Sequence, residues 1–261
     1  MTKRLKSIIS SKGPFLLAVL GLFLVWQGLC QFRVVPDFML PSPLQVARAF
    51  VRDFPLLMQH ASITLQEALW GLGLGVGLGF FLAVVMDAFS FLRRAIYPVL
   101  VVTQTVPTVA IAPLLVLWLG YEMTPKIVLV VLTTFFPVAV GVLEGFASAD
   151  PDAVRLLMSM GASRWQIFRY LKFPSALPQF FSGLRIAAAY SVVGAVISEW
   201  LGGFGGLGVY MTRVRKAFAF DKMFAVILLI SLISLLLMAL VSLGQRLCMP
   251  YRRTQDRKEL P

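Results

Sequence analysis

The chain is poor in histidine and cysteine, the side chains that most often bind a catalytic metal. It holds one histidine and two cysteines in 261 residues, too few for the His/Cys ligand sets of a zinc centre, which argues against a membrane enzyme. Charge is also sparse, at 14% against roughly 25% in soluble domains. Ion-coupled carriers place acidic or histidine relays at mid-membrane, and the spans drawn below carry none at their centres. No Gly-Lys dipeptide occurs, so the G-x-x-x-x-G-K-[ST] phosphate loop is absent. What remains is apolar: 59% of residues, with a mean hydropathy of +0.84. Several stretches reach the ~20 residues needed to cross a bilayer core.

Six spans can be drawn, at about Gly13–Phe32, Ile63–Met86, Ala95–Leu119, Ile127–Phe146, Leu177–Leu201 and Met223–Leu247. The basic stub before the first also describes a signal peptide, but five further spans follow and an uncleaved first helix is preferred. The net charge of +12 does not read as nucleic-acid binding, because the basic residues cluster at span ends and tails. With the N-terminus inside, fifteen of the 24 Lys/Arg fall on the inner side, eight outside, and Arg185 within span five. The positive-inside rule then puts both termini in the cytoplasm. Cys30 and Cys248 fall on opposite faces and cannot pair. The outer cluster Arg213–Lys216 is expected on an interfacial amphipathic helix, Tyr210–Phe220. His60, in an outer loop, carries no signal. The division is a tail at 1–12, a transmembrane domain at 13–247 and a tail at 248–261.

Span three contains Pro107 and Pro113, and span four Pro137. Each removes a backbone hydrogen bond that neighbouring helices or water must replace. The i, i+4 glycines 71, 75 and 79 make a smooth stripe for close helix packing.

Between spans four and five lies a polar segment, 147–176. Asp150-Pro151-Asp152 is a helix start, and a helix from Asp152 to Met160 ends at Gly161. A second runs from Ser163 to about Lys172, stopped by Pro174. The two form an elbow. Leu156, Leu157 and Met160 give one apolar side; Trp165, Ile167, Phe168 and Leu171 serve the second helix, leaving Arg164 and Arg169 for an aqueous partner.

The spacing of this segment (Gly161, nine residues, Leu171, one residue, Phe173, Pro174) resembles the EAA loop of ABC importer permeases, G-x9-I-x-L-P. Three further stretches, Gln104–Tyr121, Phe180–Gly203 and Gly205–Met211, are similar to the taurine, alkanesulfonate, nitrate and thiamine-precursor branch, and look nearest to permeases for hydroxymethylpyrimidine. The resemblance covers about 62–244. One departure is that Arg155, Leu156 and Leu157 stand where the family has Glu-Ala-Ala. The resemblance implies an all-α, six-helix type I importer permease fold with cytoplasmic coupling helices, in the bacterial inner membrane. It implies a homodimer, a pair of ATPase subunits inside that carry the ATP and Mg, a solute-binding protein outside, and no cofactor or nucleic acid on this chain. The ATPase would dock on Asp152, Leu157, Gly161, Ala162, Ser163, Arg164, Trp165, Phe168 and Pro174. Sulfonates, nitrate or another small solute stand beside the thiamine precursors as cargo, and an ion-coupled carrier without ATPase is the rival class.

Polar groups inside spans are functional candidates by default. Gln104 and Thr103 before Pro107, and Tyr190, Ser191 and Glu199 in span five, are the expected pathway residues. Tyr190 and the Gln104 amide suit a small heteroaromatic ring. Glu67 and Glu199 lie near outer span ends, where structural pairing or solvation competes with a transport role.

Overall fold

The computed structural model describes residues 2–32, 36 and 39–249, with side chains from residue 13 onward except 15 and 16; the C-terminal tail expected at 248–261 lies almost wholly outside the described residues. Every regular element among them is helical: α1 (Thr2–Gln31), α2 (Pro43–Arg52), α3 (Phe54–Ala88), α4 (Ser90–Thr103), α5 (Thr108–Leu119), α6 (Met123–Ala147), α7 (Pro151–Ser159), α8 (Arg164–Ile167), a π-helical turn (Phe168–Lys172), α9 (Phe173–Leu201), α10 (Leu207–Lys216) and α11 (Phe220–Cys248).

The six-span expectation is corrected in one place. Four continuous helical stretches are long and apolar enough to cross a membrane: Phe54–Ala88, Met123–Ala147, Arg164–Leu201 and Phe220–Cys248. Span three is not one helix; α4 and α5 meet at 95°. The cause is local. Gln104 and Thr105 close short turns onto Val101 and Val102, and Pro107 disfavours helical backbone at the residue before it while starting α5 with φ −61° and ψ 122°. Counting the bent pair as one gives five spans among the described residues, and α1 (Thr2–Gln31) adds an apolar stretch at Leu17–Gln31.

The chain divides into two compact units. One comprises 1–58 with 210–229. Ser42 starts α2 with a reciprocal cap, its hydroxyl taking the Gln45 N–H while the Gln45 amide oxygen takes the Ser42 N–H. Val46 and Ala49 pack with Ala225, and Trp26 donates its indole N–H to the Pro41 carbonyl at 3.0 Å. Asp53 accepts from Lys222 and from the Tyr210 hydroxyl, each at 2.7 Å. Burial pushes the Asp53 carboxyl up, but these two partners outweigh it and hold the group below the usual carboxylate range. A depressed acid contributes stability at neutral pH that disappears as pH falls through its folded value.

The other unit comprises 59–209 with 230–261. Here α6 is the central rod. Lipid tails are as apolar as leucine, so helices gain little from apolarity alone and associate through close approach at small residues. The stripe expected at 71, 75 and 79 does this against α6: side chains there would run into Val130, Thr134 and Phe135. The α6–α9 crossing is tighter. A Cβ on Gly145 would stand 2.6 Å from Ala176 Cα, one on Gly141 would stand 2.8 Å from the Gln179 carbonyl, and one on Gly183 would meet the Pro137 carbonyl. Met86, Phe135, Leu143 and Phe146 fill the core beside it. Gly183→Leu should therefore prevent α9 from seating and abolish the monodisperse species on size-exclusion chromatography. Gly73→Leu, with nothing within 4 Å of the added Cβ, should purify like the wild type. Equal behaviour of the two would contradict the crossing.

The expected amphipathic helix at 210–220 starts earlier, at Leu207, and ends at Lys216. Leu207, Val209, Tyr210 and Val214 are buried, so one side of it is packed protein surface rather than a face lying in headgroups.

Candidate functional site

Three constellations carry the polar chemistry of the chain. The first is the elbow. Asp150 caps α7, its carboxylate accepting the Asp152 N–H at 2.9 Å, with Pro151 in the first turn. At the other end the N–H of Gly161 bonds to the Met158 carbonyl and that of Ala162 to the Leu157 carbonyl, each at 3.0 Å. These are the two bonds of a Schellman stop, and they require the left-handed backbone at Gly161, where φ is +82°. Ser163 then opens α8 with a second reciprocal cap, to Gln166.

Pro174 does not stop this helix, contrary to expectation. The π turn at 168–172 shifts the bonding by one residue, so that the Phe173 N–H reaches the Phe168 carbonyl. The proline follows this turn directly, and the shifted bonding lets the helix continue through it. Helical backbone runs unbroken from Arg164 to Leu201.

Phe168 was expected to face a partner, yet it is half-buried, packed on Phe146 at 5.3 Å between ring centroids. Ile167 is buried too, and Lys172 grips both oxygens of Asp87 at 2.8 Å. These three anchor the elbow. Its outer side carries Leu156, Met158, Met160, Trp165 and Tyr170, all 58–74% exposed, with Arg155, Arg164 and Arg169 also exposed. The Arg155–Asp152 pair at 3.3 Å is solvated and contributes little.

The second constellation is a cavity of about 460 Å³ formed by α6 and α9 and reached by Gln104 at the α4–α5 bend. Its polar lining is Gln104, Glu144, Gln179, Ser182 and Tyr190, with Pro137 opposite. Of the five expected pathway residues the structure brings Gln104 and Tyr190 together here. Thr103 sits beside them, accepting from the Gln104 amide at 3.4 Å and donating to the Leu100 carbonyl at 2.6 Å. Ser191 is turned into the core, satisfied by the Ala188 carbonyl. Glu144, Gln179 and Ser182 also line the cavity and were not among the expected residues. Residues 179, 182, 186 and 190 follow helical i, i+3, i+4 spacing, so this stripe on α9 was readable once Tyr190 was chosen.

Glu199, the fifth, lies elsewhere. It is fully buried, and its two oxygens accept from the Thr64 hydroxyl at 2.7 Å and the Gly208 N–H at 2.6 Å. Thr64 in turn accepts the Leu207 N–H at 2.8 Å, and His60 Nδ1 accepts the Gly206 N–H at 3.0 Å. His60 is thus a helical residue of α3 with a structural task, not a silent loop residue. Glu67 on α3 pairs with Lys126 on α6 at 2.7 Å, both buried. The network fastens the glycine-rich segment 202–208 to α3 and α9, with Gly206 at φ +115° against the Glu199 carboxylate. Among the described residues no cluster of three potential metal ligands occurs.

Comparison with known proteins agrees with this architecture. Residues 75–249 match the family described as binding-protein-dependent transport system inner membrane component. The formylaminopyrimidine transport permease protein ThiX of Halalkalibacterium halodurans is 37% identical over 90% of this chain and 94% of its own. The riboflavin transport system permease protein RibX of Chloroflexus aurantiacus is 33% identical over 95% and 94%, and the taurine transport system permease protein TauC of Escherichia coli 30% over 87% and 85%. The fold is shared with the bacterial ABC transporter involved in the import of the acidic polysaccharide alginate, at a TM-score of 0.64 and 17% identity over 93% and 98% of the two chains. It is shared also with the MetNI methionine ABC transporter, at 0.60 and 19% over 77% and 96%. The helical bundle, the capped elbow and the sequence matches converge: the chain belongs to the binding-protein-dependent inner membrane components, as a membrane-spanning permease of an ABC importer.

Proposed function

We propose that this permease carries a small heteroaromatic solute of the thiamine-precursor class, with the α6–α9 cavity as part of its pathway and the elbow as the seat of a separate ATPase. The outer side of the elbow carries the second part of this reading. Five large apolar side chains are held out from a segment that is capped at each start and anchored beneath, and such a surface is rarely left uncovered on a cytoplasmic loop. A second copy of the chain would complete the pathway, and an external binding protein would deliver the solute. The 37% identity to a formylaminopyrimidine permease supports the solute class, as do the Tyr190 ring and two amides in the lining.

The test is uptake of labelled hydroxymethylpyrimidine by vesicles containing the permease, its ATPase and its binding protein. Gln104→Ala should lower uptake by about tenfold, the value of one good hydrogen bond to a desolvated solute, while basal ATP hydrolysis stays intact. Wild-type uptake by the variant removes Gln104 from the pathway. Absence of uptake in the wild type removes the solute.

The proposed orientation places both termini inside. Single cysteines at Glu122→Cys and Ser159→Cys, in a chain whose own cysteines are replaced, should differ in intact spheroplasts. An impermeant maleimide should label the first and spare the second; the reverse pattern inverts the topology.

A further inference from the structure

The cavity has a one-sided polarity. Glu144 on α6 faces it, and among the described residues its carboxylate has no cationic partner. Gln179 contributes a buried amide oxygen that no donor satisfies. Gln104 commits one N–H to Thr103, and the Ser182 hydroxyl donates to the Pro178 carbonyl at 3.0 Å. The amides of Gln104 and Gln179 and the Tyr190 hydroxyl offer both donors and acceptors, so the one-sided feature of the lining is its charge, the single negative one of Glu144. No lysine or arginine lines the cavity. The nearest cation on α9, Arg185, bonds along its own helix to Ser182 Oγ at 3.3 Å. A volume of about 460 Å³ falls within the range of small-molecule sites, about 300–1,000 Å³. Tyr190, half exposed, adds an aromatic face.

We propose that Glu144 makes this cavity a charge filter, which admits neutral or cationic solutes presenting N–H donors, an aminopyrimidine among them, and turns away sulfonates and other anions. An aminopyrimidine carries an exocyclic amine that gives the buried Gln179 oxygen the donor it lacks and can donate to the exposed Glu144 carboxylate, while its ring lies against Tyr190. An alkanesulfonate without an amine meets a like charge and brings no donor to Glu144 or to the Gln179 oxygen, so an unpaired acceptor is added to electrostatic repulsion. The proposal rests on reading the cavity as the pathway, and it separates two branches of relatives that overall identity does not.

The experiment measures binding of tritiated hydroxymethylpyrimidine and of tritiated ethanesulfonate, an anion with no amine, to the purified full chain in nanodiscs, alongside vesicle uptake by the assembled transporter. Wild type should bind the pyrimidine at least about tenfold more tightly than ethanesulfonate. Glu144→Gln, which keeps the shape, should weaken pyrimidine binding by about tenfold and erase the discrimination. Glu144→Lys should gain ethanesulfonate binding, a change that a purely structural role of Glu144 does not produce. Monodispersity of each variant guards against misfolding. Unchanged affinity and discrimination in Glu144→Gln overturns the filter, and so does binding of neither probe by the wild type. Should the assembled transporter take up pyrimidine while Glu144→Gln does so equally well, the filter fails and the solute class stands. Should it take up ethanesulfonate and no pyrimidine, both fail.

Discussion

Gly161→Val is expected to abolish ATP-driven uptake while leaving the membrane helices intact. The residue sits at φ +82°, and an added Cβ there meets nothing within 4 Å. The damage is therefore confined to backbone conformation, about 1–2 kcal/mol for an ordinary side chain in the left-handed region and more for a β-branched one. The Schellman bonds from Gly161 and Ala162 would be given up, and α7 would lose its fixed angle to α8. Arg164→Glu reverses one exposed charge beside Trp165 without touching either cap. Both variants should insert and purify normally, yet retain less than about a tenth of the ATPase on co-purification, as expected for a central residue of a protein interface. Retention of ATPase together with wild-type transport by both would remove the elbow as the coupling surface.

The second large effect is expected at Lys126. With Glu67 it forms an ion pair that water does not reach, and Glu67 Oε2 already lacks a donor. Lys126→Met leaves a carboxylate buried beside another, Glu199, with no countercharge; breaking such a pair typically costs about 3–5 kcal/mol. The variant should lose most of its thermal stability in detergent. Glu67→Leu combined with Lys126→Met removes both charges and should recover most of the loss, since an apolar pair of similar volume is often as stable. A single Lys126→Met chain that melts like the wild type would show that the pair is solvated in the membrane.

The elements that sequence reasoning placed well are those written in adjacent residues. Asp150-Pro151, Gly161 and Ser163 each act on backbone within three positions, so caps and stops could be read directly. The stripe of glycines on α3 was legible for the same reason, because its spacing is that of one helix face. The 95° break at 104–107 was not, since a proline permits a kink, a break or a mild bend and tertiary contacts choose among them. Pro174 misled in the opposite sense, its effect absorbed by a π turn that no local residue announces. The Glu67–Lys126 and Thr64–Glu199 bonds join residues 59 and 135 positions apart; no periodicity encodes such partners. In the cavity, an aromatic and an amide drew notice as polar groups within spans, whereas Glu144 lay near a span end, where charge is ordinary.

The uninterrupted backbone from Arg164 to Leu201 makes the elbow and the cavity wall parts of one lever. Its 38 residues amount to roughly 57 Å at 1.5 Å per residue, so a tilt of about 5° at one end displaces the other by about 5 Å. Glycine-to-backbone seating ties α6 to the same arm, and Lys172–Asp87 places a fulcrum close to its inner end. At the far end Glu199 holds Thr64 and Gly208. A small push on the elbow would thus reach the cavity wall in the middle of the arm and arrive, magnified, at the glycine-rich segment 202–208 that Glu199 fastens there.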